Sequence, residues 1–204
     1  MGSELGRLLV FGKAPISGQV KTRLIPALGA DGAAKLHEEL LTICLNKMEK
    51  VGNIAVEIWC APDIDHPCFA AQDRPLFKQE GDDLGEKMAY ALESALTRGE
   101  QALLLGTDSP ALSVEALTAG LACLRSGYDA VIVPAEDGGY VAIGMRKVDR
   151  KAFKGIGWGS DKVYAQTIER FEQLGWRWKA LDTCWDIDRP EDLKRYEKWK
   201  IDRV

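Results

Sequence analysis

Histidine is nearly absent from this 204-residue chain, which has only His37 and His66. That scarcity argues against a His-rich metal site and against Ser–His–Asp catalysis. His37 falls in a helical stretch and reads as a partly buried helix residue. Cysteine is odd in number, with Cys44, Cys60, Cys68, Cys123 and Cys184 as the five, and no two form a C-x-x-C pair. A disulfide framework and a structural zinc site are both disfavoured, and a reducing, cytoplasmic setting is expected. Positive charge is not in excess: 27 Lys and Arg stand against 31 Asp and Glu, for a net charge of −4. Nothing electrostatic points to nucleic acid as a partner. Apolar runs such as Leu40-Leu41 and Leu103 to Leu105 are far too short to span a membrane. Met1 to Gly6 lacks the basic-then-apolar pattern of a signal peptide. Repeats, low-complexity tracts and linkers are also missing, so residues 1–204 are expected to form one domain with a sizeable core.

What is present is an alternation of short apolar runs and amphipathic stretches. Arg7 to Phe11 reads as a first strand, Ile54 to Cys60 as a second and Leu76 to Gln79 as a third. Leu103 to Leu105, Asp129 to Pro134, Val141 to Gly144 and Trp176 to Leu181 supply further strands. Between them, Asp31 to Val51 carries one apolar stripe at helical spacing with Asp31 as its expected N-cap. Asp83 and Glu86 have capping-box spacing for a helix reaching about Thr97, and Ser113 caps one running to Arg125. Ser160 or Asp161 is expected to cap a helix to Leu174. Pro190 suits the first turn of a last helix, with Asp188 and Glu191 again at cap spacing. The pattern predicts an α/β fold with a mostly parallel central sheet and helices on both faces.

The first strand leads into a loop from Gly12 to Leu24 that holds Gly18 and Thr22 and three cations, Lys13, Lys21 and Arg23. Glycine lets backbone N–H groups approach a phosphate, and the cations supply charge. The dinucleotide fingerprint is absent. A Walker loop needs Lys directly after Gly, whereas Gln19 and Val20 separate Gly18 from Lys21. The run Leu103 to Leu105 ends in Gly106-Thr107-Asp108-Ser109-Pro110. In open α/β sheets ligands bind beyond the carboxyl ends of the strands, so Asp108 is placed to hold a divalent cation and, through it, phosphate. A plain turn meets the same pattern. Asp186 and Asp188, two apart in an extended segment, point the same way. Held together, such carboxylates raise each other's pKa unless a cation neutralises them. One metal site shared by Asp108, Asp186 and Asp188 is the expectation, with Asp188 as a simple N-cap the alternative. Gly81 and Gly85 frame the start of a helix, and glycine at Gly85 would let a nucleotide approach the backbone. Asp137-Gly138-Gly139-Tyr140 carries a hairpin signal with more than a turn requires, and is expected to shape a substrate pocket. Trp158 lies in a second glycine-rich stretch.

These segments, taken together and in order, resemble the radical-SAM/selenodomain-associated transferases, bacterial proteins with the type-A glycosyltransferase (nucleotide-diphospho-sugar transferase) fold. The resemblance rests on Phe11-Gly12-Lys13-Ala14-Pro15, Gly18 to Leu24, Gly106 to Pro110, Asp137 to Tyr140 and Asp186 to Leu193. Gly81 to Met88 is similar to that family's Gly-Asp-Leu-Gly segment. Lys21-Thr22-Arg23-Leu24 and Asp186-x-Asp188 are also similar to motifs of phospholactate guanylyltransferases. The resemblance implies metal roles for Asp108, Asp186 and Asp188 and phosphate contacts for Lys13, Lys21 and Arg23. The family reads Trp-Ser-Thr where this chain has Trp158-Gly159-Ser160, so a middle hydroxyl is missing.

The expected activity is a transferase dependent on Mg²⁺ or Mn²⁺ that uses a nucleotide-diphosphate donor, a sugar nucleotide first, and a small-molecule acceptor. Asp108 and Lys21 would serve the leaving diphosphate, and Asp137 the acceptor. Gly138, Gly139, Tyr140 and Trp158 would line the substrate pocket. A nucleotidyltransferase releasing pyrophosphate is the alternative, and a nucleotide-binding module without turnover is the third reading.

Overall fold

The computed structural model describes residues 6–52 and 54–202; the leader reading of Met1 to Gly6 lies outside them but for Gly6. Seven strands form one sheet in the order β3-β2-β1-β4-β6-β5-β7. They are β1 Arg7–Lys13, β2 Ala55–Ala61, β3 Leu76–Lys78, β4 Ala102–Gly106, β5 Ala130–Pro134, β6 Tyr140–Met145 and β7 Trp178–Ala180. All pairings are parallel except those of β6, which runs antiparallel to both β4 and β5. The antiparallel strand follows from the Asp137-Gly138 turn, which joins β5 to β6 as a hairpin.

Strand residues alternate between two cores. Leu8, Val10, Ile58, Leu103, Leu105, Val131 and Val133 point to one face, where they meet Leu41 and Leu45 of α1 (Ile25–Met48) and Leu117 and Leu121 of α4 (Val114–Arg125). Leu9, Trp59, Leu104 and Ile143 point to the other, against Met88 and Leu92 of α3 (Leu84–Leu96) and Phe171 of α5 (Val163–Gln173). This is the three-layer arrangement expected of apolar strands covered on both sides. Each fully buried leucine among them contributes roughly 1.5–3 kcal/mol. A third cluster joins Leu24, Leu36 and Leu40 to Ile187 and to Tyr196 of α6 (Asp192–Ile201). It anchors the chain's last segment beside its first loop. The short α2 (Pro67–Ala70) follows β2.

Three helix starts differ from the sequence reading. Helix α1 begins at Ile25, with Pro26 in its first turn, and is kinked at Gly29 (φ 71°). Asp31 is therefore inside it, and its carboxylate instead accepts the Ser17 hydroxyl at 2.7 Å. Helix α5 starts at Val163, after Lys162, without a side-chain cap from Ser160 or Asp161. Helix α6 likewise has no side-chain cap, and its first residue, Asp192, reaches back to accept from the N–H groups of Asp188 (3.0 Å) and Arg189 (2.7 Å). The Asp188 carboxylate is thereby left free of capping.

Candidate active site

The carboxyl ends of β1 and β4 lie side by side, and three loops close over them. The first is the basic loop after β1. Lys21 sits there in the left-handed region (φ 49°), a conformation a non-glycine residue adopts at a cost. The strained backbone turns its side chain inward, where only 3% of it is exposed and Nζ lies 2.9 Å from Asp108 Oδ1. The same ammonium donates to the Ile187 carbonyl. An ammonium has three N–H donors, so two are committed inside the protein. Lys21 is thus a strut between loops as well as a wall of the cleft.

The second and third loops are Gly106 to Pro110 and the extended segment Cys184 to Asp188. They are laced together by the Ile187 N–H to the Asp108 carbonyl (3.0 Å) and the Ser109 hydroxyl to the Trp185 carbonyl (2.7 Å). Ser109 and Trp185 are 76 residues apart in the chain, so folding alone brings Asp108 beside the later pair of acids. Ile187 is fully buried, so the alternation of an extended chain puts Asp186 and Asp188 on its other side. Asp188 pairs with the guanidinium of Arg23, which is held protonated more firmly by that carboxylate. Asp186 has no such partner among the described residues. Burial pushes its carboxyl up to about 6, and the negative charges of Asp137, Asp108 and Asp188 add to the effect against Lys21. The convergence is nonetheless incomplete. Among the described residues, no three His, Cys, Asp or Glu side chains come close enough to hold a metal as they stand. Salt bridges from Lys21 and Arg23 occupy Asp108 and Asp188 instead.

Two clefts open on this rim. The first, about 460 Å³, is lined by Lys13, Lys21, Thr22, Arg23, His37, Gln79 and Asp108, among others. The second, about 420 Å³, contains Asp137, Tyr140, Trp158, Asp161, Asp186 and Arg189. Arg23, Leu84, Asp108 and Asp188 border both, so the two are continuous.

The expected site residues divide accordingly. Lys13 and Thr22 are exposed and line the first cleft, whereas Gly18 stands exposed in the loop and borders neither cleft. Gly139 and Trp158 line the second. Asp137 accepts its own turn's Gly139 N–H at 2.8 Å through Oδ1, which leaves the other oxygen for a ligand. Three expectations need correction. At Gly85 a Cβ would lie 2.6 Å from Trp158 Cζ2, so the space left by glycine is filled by an indole rather than kept for a nucleotide. At Gly81 (φ 139°) a Cβ would meet the start of α3, 2.8 Å from the Lys87 nitrogen, and neither glycine borders the two clefts. Gly138 (φ 88°) abuts the Asp161 backbone and gives its carbonyl to the Tyr164 N–H at 2.8 Å. It shapes the wall from behind. Tyr140 presents its ring only. Its hydroxyl turns to Met88 Sδ at 3.8 Å, and burial holds the phenol well above its usual pKa.

Sequence reasoning missed His37. It is 5% exposed and lines the first cleft. Its Nε2–H donates to the Lys13 carbonyl at 3.0 Å, while Nδ1 has no hydrogen-bond partner among the described residues and lies 3.9 Å from Asp108 Oδ1. Burial lowers its pKa and favours the neutral ring. A histidine on the apolar face of a helix looks the same in sequence whether it packs or lines a cleft. Gln79 was missed too; its amide ties the Gly12 and Trp59 carbonyls together at 3.3 and 2.8 Å.

The chain and its fold are similar to known proteins. Residues 44–160 match the family described as "Uncharacterized protein conserved in bacteria (DUF2064)". No curated protein matches the chain. Among solved structures, the chain is similar to a candidate nucleotide-diphospho-sugar transferase of Desulfovibrio desulfuricans G20, at 33% identity and a TM-score of 0.84, over 92% of this chain and 83% of that one. It shares its fold with CMP:2-keto-3-deoxy-manno-octonic acid synthetase complexed with CTP (8% identity, TM-score 0.65, 98% and 99% covered). It does so too with glucosyl-3-phosphoglycerate synthase of Mycobacterium tuberculosis in complex with Mn²⁺, UDP and phosphoglyceric acid (11%, 0.59, 92% and 72%). The chain belongs to the DUF2064 family, a single α/β domain on the fold shared by nucleotide-diphospho-sugar transferases and nucleotidyltransferases.

Proposed function

We propose that the protein is a metal-dependent transferase that moves a glycosyl group from a sugar nucleotide to a small-molecule acceptor. Its fold and its 33%-identical relative support a nucleotide-using transferase. The observation that carries the finer reading is the pairing of the basic loop with Asp108 and Asp188, which border two continuous clefts, with Asp186 on the wall of the second. Lys13 and Arg23 in the first cleft suit a diphosphate. Lys21 holds Asp108 in position.

The acids fit a divalent cation in two respects. Their donors are all carboxylate oxygens, the ligands that Mg²⁺ and Mn²⁺ favour. Asp186 is half-buried among three other acids, with a charge that a cation would offset. Asp108, Asp186 and Asp188 would hold it through the carboxylate oxygens that Lys21 and Arg23 do not occupy. Bound there, it would neutralise the charge that builds on the departing diphosphate. The acceptor's hydroxyl oxygen bonds to the anomeric carbon as that carbon's bond to the diphosphate oxygen breaks. The electron pair leaves with the nucleoside diphosphate. The hydroxyl proton passes to the free oxygen of Asp137, the acceptor-side carboxylate.

The test is product analysis with Mn²⁺ and a panel of sugar nucleotides, beside thermal shifts with the same compounds. Release of nucleoside diphosphate that EDTA abolishes and Asp108→Asn eliminates, together with Mn²⁺ binding, is the expected result. Turnover that persists in excess EDTA or in Asp108→Asn refutes it. Pyrophosphate released from an NTP identifies nucleotidyl transfer instead, the reading favoured by the similarity of Lys21 to Leu24 to phospholactate guanylyltransferases. Binding with no product in either assay leaves a nucleotide-binding module.

A further inference from the structure

The two clefts differ in what they offer a ligand, and the difference names a class of acceptor. On the walls of the second cleft, cationic side chains are fewer than carboxylates, and two of the neutral donors are turned away from a ligand. Ser160 Oγ donates to the Gly157 carbonyl (2.7 Å) and accepts from the Lys162 N–H (3.3 Å). Tyr140 turns its hydroxyl into the core, one Arg23 nitrogen is taken by Asp188, and the Trp158 indole N–H is buried beside Gly85 with no partner among the described residues. Arg189 is the one charged donor on these walls with no ion pair among the described residues. The acceptors, by contrast, are open. Asp137 keeps one oxygen free, and Asp161 and Asp186 have no ion pair among the described residues. If Asp186 serves a cation and Asp188 keeps Arg23, Asp137 and Asp161 are left with Arg189 and the more distant charge of Arg23. The first cleft has the opposite character: its acids are answered by Lys21 and Arg23, and Lys13 is left over. The rings of Trp158 and Tyr140 line the same cleft, apolar surfaces that suit the C–H face of a ring compound.

We infer that the second cleft takes an acceptor rich in hydrogen-bond donors and without negative charge, a polyhydroxy compound or its amine derivative, and turns away phosphorylated or carboxylated ones. The physical reason is the donor–acceptor inventory. Ionised carboxylates only accept, so they pair with O–H or N–H groups and repel an anion brought between them. A cleft of about 420 Å³ accommodates one such small molecule. The inference rests on reading the first cleft as the nucleotide site, and its test is separable from that reading.

The experiment is ligand-observed NMR on the full chain at millimolar probe, with methyl glucoside, glucosamine, glucose 6-phosphate and glucuronate. Variants assign the binding: a probe that Lys13→Ala releases was held in the first cleft, and one whose affinity Asp161→Asn alters was held in the second. Asp161 is exposed, so its replacement leaves the fold intact. In the second cleft the neutral and amine probes should bind, with the two anions weaker by about tenfold, the combined effect of two half-screened charges. Asp161→Lys should narrow or reverse that preference. Anions that bind the second cleft as well as methyl glucoside overturn the inference, as does the failure of every probe to bind there. UDP, GDP, CDP and ADP titrated separately report on the nucleotide reading: their failure to bind overturns the first cleft's role while the probe ranking still stands.

Discussion

Asp186→Asn should make the metal-free protein more stable at neutral pH, although it removes a charge from the centre of the site. The Asp186 carboxyl is pushed up to about 6 by burial and by Asp137, Asp108 and Asp188. Its folded pKa lies above that of the unfolded chain, so the folded state binds more protons between about pH 4 and pH 6. Stability therefore falls as pH rises through that window and stays lower above it. At full strength the effect amounts to roughly 3 kcal/mol. Half-exposure to water reduces that to about 1 kcal/mol. Asparagine keeps the shape and lacks the charge. The variant should gain about 1 kcal/mol at pH 7.5, which is about 2–4 °C in Tm for a domain of this size. The gain should vanish near pH 4, where the wild-type carboxyl is neutral in the fold. Thermal and urea denaturation of both proteins from pH 4 to pH 8 reads the difference, and other titrating groups cancel in the comparison. Saturating Mn²⁺ should reverse the order, because only the wild type retains the full acid set. Equal stabilities at pH 7.5, or a difference that does not change with pH, would show that the four acids do not repel one another as described.

Lys21→Met removes a buried ammonium from the Asp108 carboxylate and the Ile187 carbonyl. It should cost about 1–3 kcal/mol in urea denaturation and shift the Asp186-linked loss of stability to higher pH. Gly85→Ala brings a methyl to 2.6 Å from the Trp158 ring, so it should cost about 1–3 kcal/mol or displace the indole. Indole fluorescence of a variant that keeps Trp158 as the reporter distinguishes the two outcomes. Gly138→Ala would place its methyl 2.1 Å from the Asp161 carbonyl oxygen at a φ of 88°, both of which only glycine tolerates. Loss of soluble folded protein, or a drop of more than about 2 kcal/mol, is expected. His37→Phe should retain the fold and lower nucleotide affinity in titrations, because it frees the Lys13 carbonyl at the rim of the first cleft.

Much of the fold was legible because strand and helix periodicity are local. The apolar run at β4, the strand at β7 and the Asp137-Gly138 hairpin all read directly from neighbouring residues. Helix starts were less so. Asp31 has the chemistry of a cap, but the backbone breaks at Gly29 and its carboxylate takes the Ser17 hydroxyl; Asp188 has cap spacing, but its carboxylate pairs with Arg23. Each choice depended on which partner the surrounding packing brought to the carboxylate.

The residue types of the site and their order came from the sequence alone: a basic glycine-containing loop, an aspartate at a strand end, and two aspartates spaced for one side of an extended chain. Which partners those charges take was decided only in three dimensions. Lys21 reaches from the first loop to Asp108, Arg23 pairs with Asp188 across 165 residues of chain, and Trp158 fills the hollow at Gly85. Spacing along a polymer constrains which groups share a face of one element, whereas pairing between distant segments is set by how the sheet and its two covering layers bring loop ends together.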